Sequence, residues 1–320
     1  MAISLLRKTQ LIDGLAKLPF PVRQHLFGLG YMFLPRRLPN LPPFLAVVLS
    51  DLALGRIGRL PTADRARARP DGFCGIAGRL VLADLLEGYA RGMFPHCHLG
   101  PLKWWAPKHR MVLFFDHARV EKKARHLLRK KSFHITMDTA FTQVMQGCAA
   151  PRPGRTPLTW ITPRLQALFL KAHEAGHAHS VEVWKDGRLV GGVYGLAVGN
   201  VFFTESQFFT VSDASKVAVA VLNHHLQAWG FVMNDGKHPT PYLADGGMRP
   251  ITREEFTQLC AVHARAARAP RRWTLDPALV DPDWKPAEAA GVKMQDLLPD
   301  GTACRWSAAE LLAEQRSNTW

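Results

Sequence analysis

The stretch that most limits what this chain can fold into runs from His179 to Lys216, HSVEVWKDGRLVGGVYGLAVGNVFFTESQFFTVSDASK. Its segments rich in β-branched and aromatic residues are separated by Asp186-Gly187 and Gly199-Asn200, pairs that reverse a chain within two residues. The pattern predicts strands over Ser180 to Lys185, Arg188 to Leu196 and Val201 to Ser206, an antiparallel meander. Asp213 is placed to cap a helix from Ala214 to Trp229, with Val217, Val221, Leu222 and Leu226 on its inner face. Phe231 to Asn234 returns as a strand and leads to Asp235. Upstream, Val81 to Gly92, Arg119 to Lys131, Ala140 to Cys148 and Thr162 to Ala175 read as helices, with Thr162 and Gly176 as the two ends of the last. Met111 to Phe115 and Phe133 to Met137 read as strands. This order describes an α+β acyltransferase-like domain.

The 320 residues are enough for two modest domains and some appendages. Four parts are expected: a basic, Pro-rich N-terminal extension over 1–71, a small N-terminal domain over 72–135, a transferase domain over 136–262, and a C-terminal tail over 263–320 with little core of its own. No apolar run approaches the roughly 18 residues needed to span a bilayer, and no clean signal peptide opens the chain, so no membrane partner is expected. Five scattered cysteines, Cys74, Cys97, Cys148, Cys260 and Cys304, suit a reducing cytoplasm and idle thiols. The net charge of +15 lies wholly in residues 1–135, where 23 Lys and Arg face 8 Asp and Glu. Its densest run is RVEKKARHLLRKK, Arg119 to Lys131, the footprint expected of a phosphate-backbone contact; a solvated helix face is the plainer alternative.

Several motifs compete for the chemistry. His173-Glu174-Ala175-Gly176-His177 matches the HExxH zinc pattern, but that pattern needs both histidines on one continuous helix, and Gly176 should end it. No metal is therefore expected. His96-Cys97-His98 reads as a loop whose neighbouring side chains point apart. There is no GxSxG elbow and no Walker loop, and the turn FFTVSDASK (208–216) lacks the glycines of a pyrophosphate cradle. What remains is a set of aromatic residues and two carboxylates: Trp104-Trp105, Thr159-Trp160-Ile161-Thr162, Glu205-Ser206 with Phe202, Phe203, Phe208 and Phe209 around it, and Asp235. Singly, such tryptophans are more often core than site, and Asp235 could equally be a turn residue.

Taken together, RGMFP (91–95), WWAP (104–107), TWIT (159–162), HEAGHAHSVEVW (173–184), LVGGVYG (189–195), Glu205-Ser206 with Phe208, and ASK (214–216) resemble the leucyl/phenylalanyl-tRNA–protein transferases, over about Gly72 to Leu259. The resemblance implies a small N-terminal α/β domain beside a GNAT-like acyltransferase domain with a central, mainly antiparallel sheet. It implies a cytoplasmic enzyme without cofactor that moves Leu or Phe (or Met) from Leu-tRNA or Phe-tRNA to the N-terminal α-amine of a protein beginning with Arg or Lys, marking it for degradation. By the same resemblance, Asp235, Glu205 and Lys237 hold the catalytic positions. Trp105, Trp160, Val193, Phe202, Thr204, Ser206 and Ser215 would bind substrate, and Lys122, Lys123, Arg125, Arg129, Lys130 and Lys131 would hold the tRNA through phosphates. A monomer is expected.

The chain also departs from the family pattern. Asp235-Gly236-Lys237 stands where Asp-x-Gln is usual, and a charged lysine cannot accept a hydrogen bond. Asp213 stands for Asn, Thr204 for Gly, and Gly78-Arg79-Leu80 for Gly-Gly-Asp-Leu. His96-Cys97 replaces the second half of Phe-Pro-Trp-Phe, and PTPYLADGG (239–247) takes the place of an Asp-His pair. Two rival readings follow: an aminoacyl-tRNA-dependent ligase with a different amine acceptor, or a non-catalytic tRNA-binding relative.

Overall fold

The structure is a computed structural model that describes residues 14, 18–78, 81–98, 100–152, 156–286 and 293–298. Arg79, Leu80, Cys304 and the end of the C-terminal tail lie outside the described residues. Among the described residues the N-terminal extension includes α1 (Phe20–Met32) and α2 (Leu41–Ala53), each with proline in its first turn, where the missing N–H costs nothing. Gln24 of α1 ties the extension to the body by donating to the carbonyl oxygens of Thr159, at 2.6 Å, and His98.

A small three-stranded sheet follows, built from β1 (Phe73–Ile76), β2 (Phe94–His96) and β3 (Lys103–Trp105) in the order β1-β3-β2. Helix α3 (Leu82–Ala90) lies between β1 and β2, and Gly92 just beyond it takes φ +77°, the left-handed conformation that ends helices. Strand β4 (His109–Phe114) then leaves this unit. It joins a seven-stranded sheet, paired on one edge with Met233–Asp235 and on the other with Arg249–Thr252. The passage into the large sheet therefore falls near residue 109 rather than residue 135. The reason is physical: every residue of β4 is buried, and only the interior of a large sheet gives such a strand partners on both edges.

The rest of the large domain is α4 (Lys122–Arg129), β5 (His134–Met137), α5 (Phe141–Ala149), α6 (Pro163–Glu174), β6 (Ala178–Lys185), β7 (Arg188–Val198), β8 (Val201–Phe209), α7 (Ala214–Ala228), β9 (Met233–Asp235), α8 (Pro241–Asp245), β10 (Arg249–Thr252) and α9 (Arg253–His263). The fold is α+β, and its large sheet, in the order β10-β4-β9-β8-β7-β6-β5, is mainly antiparallel, with one parallel pair, β8 and β9, on either side of α7. The predicted meander is present. Asp186 and Gly187 both take positive φ, +50° and +72°, as its first turn requires. Two apolar clusters cover the faces of the sheet. One packs Tyr194, Leu196 and Phe203 against α5, α6 and the small sheet; the other packs Val181, Val193 and Phe202 against α7 and Trp273.

His96 and His98, two residues apart, lie on one side as alternation requires, and their rings meet edge to face at 4.8 Å. Two local expectations change. Asp213 does not cap α7: it sits at φ +64° and its carboxylate pairs with Lys216 at 2.9 Å. The tail also contributes to the core. Trp273 is buried and stacks flat on His179 at 3.7 Å, while its N–H donates to Asp138 at 2.7 Å. The helix carrying the HExxH match does end at Glu174, and His173 stacks on the Phe141 ring at 4.2 Å.

Candidate active site

Glu205 reaches the site through a bulge. Thr204 lies opposite Gly195 and Ser206 opposite Tyr194, so Glu205 is the extra residue of β8. Gly195 allows the close approach, since a Cβ there would lie 2.3 Å from the Phe203 carbonyl oxygen and 2.6 Å from the Phe202 ring. The Glu205 carboxylate accepts from Tyr89 of α3 at 2.6 Å and from the Lys237 ammonium at 2.8 Å, both through Oε1. Its Oε2 is buried and has no hydrogen-bond partner among the described residues. Burial pushes the Glu205 carboxyl above the usual range, against the pull of Lys237 and Tyr89. Tyr89 lies well above its ordinary value, through burial and then the Glu205 charge.

Lys237 is held rigidly. Its ammonium donates to the Thr204 carbonyl at 2.6 Å as well as to Glu205, and lies 5.6 Å from the Phe94 ring centre. Its backbone takes φ +65°, an uncommon conformation for a residue with a side chain. Asp235 braces that conformation by accepting the Lys237 N–H at 2.9 Å, and Met111 of β4 donates its N–H to the Lys237 carbonyl at 3.0 Å.

The Asp235 carboxylate is wholly buried. It faces Arg110, whose guanidinium donates to both of its oxygens, with Nε to Oδ1 at 3.1 Å. Arg110 also donates to the Gly92 carbonyl at 2.7 Å and lies 4.1 Å from the Phe256 ring centre. Both Asp235 oxygens are thus engaged inside the protein. Through these bonds Asp235 braces the Lys237 turn.

The expected substrate-binding residues divide. Trp105 and Trp160 lie on one side of the sheet: Trp105 is buried in the small sheet, and Trp160 stacks on His96 at 5.3 Å. Ser206 joins Trp160, Cys148 and Leu158 around a hollow of about 220 Å³. Val193 and Phe202 instead lie in the core beneath α7, fully buried on the other face, and Thr204 donates to Asn234 at 2.8 Å. Strand alternation explains the split, since Phe203 and Phe202 must point to opposite faces. Ser215 is buried at the start of α7, where Gly191 packs closely against Ala214 and Ser215.

The basic helix α4 is solvent-facing along one side. Lys122, Lys123, Arg129, Lys130 and Lys131 are exposed and Arg125 is half-buried. Arg129 is bound at 2.8 Å, and Arg125 at 3.5 Å, to Asp283 of the tail, so two of the six cations are already partly neutralised. The thiols of Cys74 and Cys148 are pushed up to about 12 by burial and are unsuited to nucleophilic work. Among the described residues, no group of three metal-ligating side chains converges.

Tyr89 and Arg110 were not read from the sequence as site residues. A signal for Arg110 existed: it is a charge inside HRMVLF, a strand buried along its whole length, and a buried charge needs a partner. Tyr89 gave none, since its position in an amphipathic helix fits an ordinary core aromatic.

A model of the leucyl/phenylalanyl-tRNA protein transferase family matches residues 112–261, and the model of that family's N-terminal domain matches residues 78–108. The division between the two models falls where β4 begins. A leucyl/phenylalanyl-tRNA–protein transferase of Azoarcus sp. (strain BH72) is 45% identical over 218 residues, 68% of this chain and 88% of the relative. One from Thiobacillus denitrificans is 42% identical over 217 residues, 68% of this chain and 95% of the relative. One from Stutzerimonas stutzeri is 43% identical over 204 residues, 63% of this chain and 90% of the relative.

Proposed function

The chain belongs to the leucyl/phenylalanyl-tRNA protein transferase family and is an aminoacyltransferase, and we propose that it moves Leu, Phe or Met from charged tRNA to the N-terminal α-amine of a protein. The observation that carries this reading is the state of the site's charged groups. Asp235 is paired with Arg110 and Glu205 with Lys237, beside the aromatic side chains of Phe94, Tyr89 and Phe203. Among the described residues the site offers no activated nucleophile, so a covalent enzyme intermediate has nothing to form on.

Direct aminolysis needs none. The amine attacks the ester carbonyl carbon, a peptide bond forms, and the ester bond to the tRNA ribose breaks. The ribose oxygen leaves with the proton that the amine loses. The ester is already activated, so the protein's task is to hold the amine neutral, close and aligned, which can supply a large share of the rate. Trp160, Trp105 and Ser206 are the residues on the site's side of the sheet that can shape the donor pocket. The exposed lysines of α4 can hold the acceptor stem by its phosphates. We place the reaction in the cytoplasm and assign the chain as a monomer; no described helix is long and apolar enough to cross a membrane.

The resemblance also implied an acceptor beginning with Arg or Lys. The observation that favours a different acceptor is the Lys237 ammonium, which already engages the Glu205 carboxylate at 2.8 Å. The general reading is tested with purified protein, labelled Leu-tRNA and Phe-tRNA, and peptides differing in their first residue. Labelled peptide is expected without ATP; a chain that binds tRNA and labels no peptide is the non-catalytic relative.

A further inference from the structure

We propose that Lys237 is a built-in ammonium that makes this enzyme select acceptor proteins whose first residue carries no positive charge. The proposal rests on the transfer reading above and names the acceptor class for it. Around the site two carboxylates, Glu205 and Asp235, meet two cations, Lys237 and Arg110. The set is electrically balanced before any substrate arrives. A third cation brought into it would find each carboxylate already paired with a cation, with only the covered Oε2 of Glu205 left unbonded among the described residues, and it would be desolvated beside an ammonium of like sign.

Access points the same way. The Glu205 side chain is wholly covered, whereas the Lys237 side chain keeps 10% of its surface exposed. An approaching side chain therefore reaches the Lys237 side chain before the Glu205 carboxylate. Lys237 cannot easily swing aside, because it is fixed at both ends. Thr204 and Glu205 hold the ammonium, while Asp235 and Met111 hold the backbone in its left-handed turn. The Gly236 beside it packs against the ends of Met248 and Leu243, with Met248 Sδ 2.5 Å from where a Cβ would stand. Acceptors beginning with an uncharged or acidic residue add no cation to the set, and an acidic one meets a charge of opposite sign.

The full chain is assayed with labelled Leu-tRNA and Phe-tRNA and peptides identical except for a first residue of Arg, Lys, Ala, Ser, Asp or Glu. The expected kcat/KM for the peptides without a cationic first residue exceeds that for Arg and Lys by at least about tenfold. Lys237→Gln should reverse the order, chiefly by lowering KM for the Arg peptide, because Glu205 is then free to pair with it. Arg or Lys peptides used as well as the others by the natural protein would overturn the proposal, and that comparison needs no variant to fold. A Lys237→Gln protein that transfers but keeps the original order would also overturn it. Failure to label any of the six peptides would remove the transfer reading itself, an outcome distinct from labelling in the wrong order.

Discussion

Replacing Arg110 with methionine leaves the fully buried Asp235 carboxyl without its counter-ion, with the Lys237 N–H as its one remaining donor among the described residues. Removing one partner of a buried ion pair costs about 3–5 kcal/mol, because the other charge is left without its counter-ion. Arg110 sits at the upper end of that range. It also loses its bond to Gly92 and its stacking on Phe94 and Phe256. Asp235→Asn in the natural background is destabilising too, since it leaves the buried guanidinium without a charge to meet. Asn keeps an oxygen for the Lys237 N–H, however. In the Arg110→Met background the same Asp235→Asn change removes an unpaired charge and should restore about 2 kcal/mol. Urea unfolding of the two single variants and the double variant measures the cycle. The prediction is a change of sign: Asp235→Asn destabilises the natural protein, where Arg110 is present, and stabilises the Arg110→Met variant. Additive losses would refute the assignment of Asp235 as a buried support.

Three other outcomes follow from the same geometry. Replacing Lys122, Lys123, Lys130 and Lys131 with Ala should lower tRNA affinity and flatten the slope of log K against log salt by about 3, at 0.7–0.9 per lost phosphate contact; an unchanged slope places the tRNA elsewhere. Trp273→Ala should cost about 3–5 kcal/mol in urea unfolding, since a buried indole stacked on His179 is lost; a change under 1 kcal/mol would show that the tail is not part of the core. His98 is pushed down to about 4, mainly by burial, against about 6.5 in an unfolded chain. Between those values the unfolded chain binds the extra proton, so this contribution is complete above about pH 6.5 and is lost as the pH falls towards 4. It amounts to at most about 3 kcal/mol at 1.36 kcal/mol per unit. Thermal melting from pH 7.5 to 4.5 should show a falling Tm; a Tm that holds level or rises contradicts it.

The sequence carries the frame of the large sheet because that frame is local. Asp186-Gly187 needs positive φ at both residues, Thr162-Pro163 marks a helix start, and Gly176 and Gly92 mark helix ends. What stayed hidden depends on contacts between distant residues. The pairing of β4 with β9 and β10 brings together segments more than 100 residues apart, and no periodicity records it. The Lys237–Glu205 pair depends on a bulge in β8 and a left-handed turn after β9. Alternation does place Phe202 and Phe203 on opposite faces, so Phe202 lies with Val193 beneath α7 and away from the face that carries Trp160. Glu205 itself is legible as an acid among aromatics, but its partner is not, because only the pairing of β8 with β9 brings Lys237 to it.

The central claim is tested most directly by following the label of radiolabelled Leu-tRNA into peptides mixed with the purified chain. The account predicts label joined by a peptide bond to the peptide's α-amine, formed without ATP and dependent on the protein. tRNA that binds tightly while no peptide of any first residue gains label would contradict it.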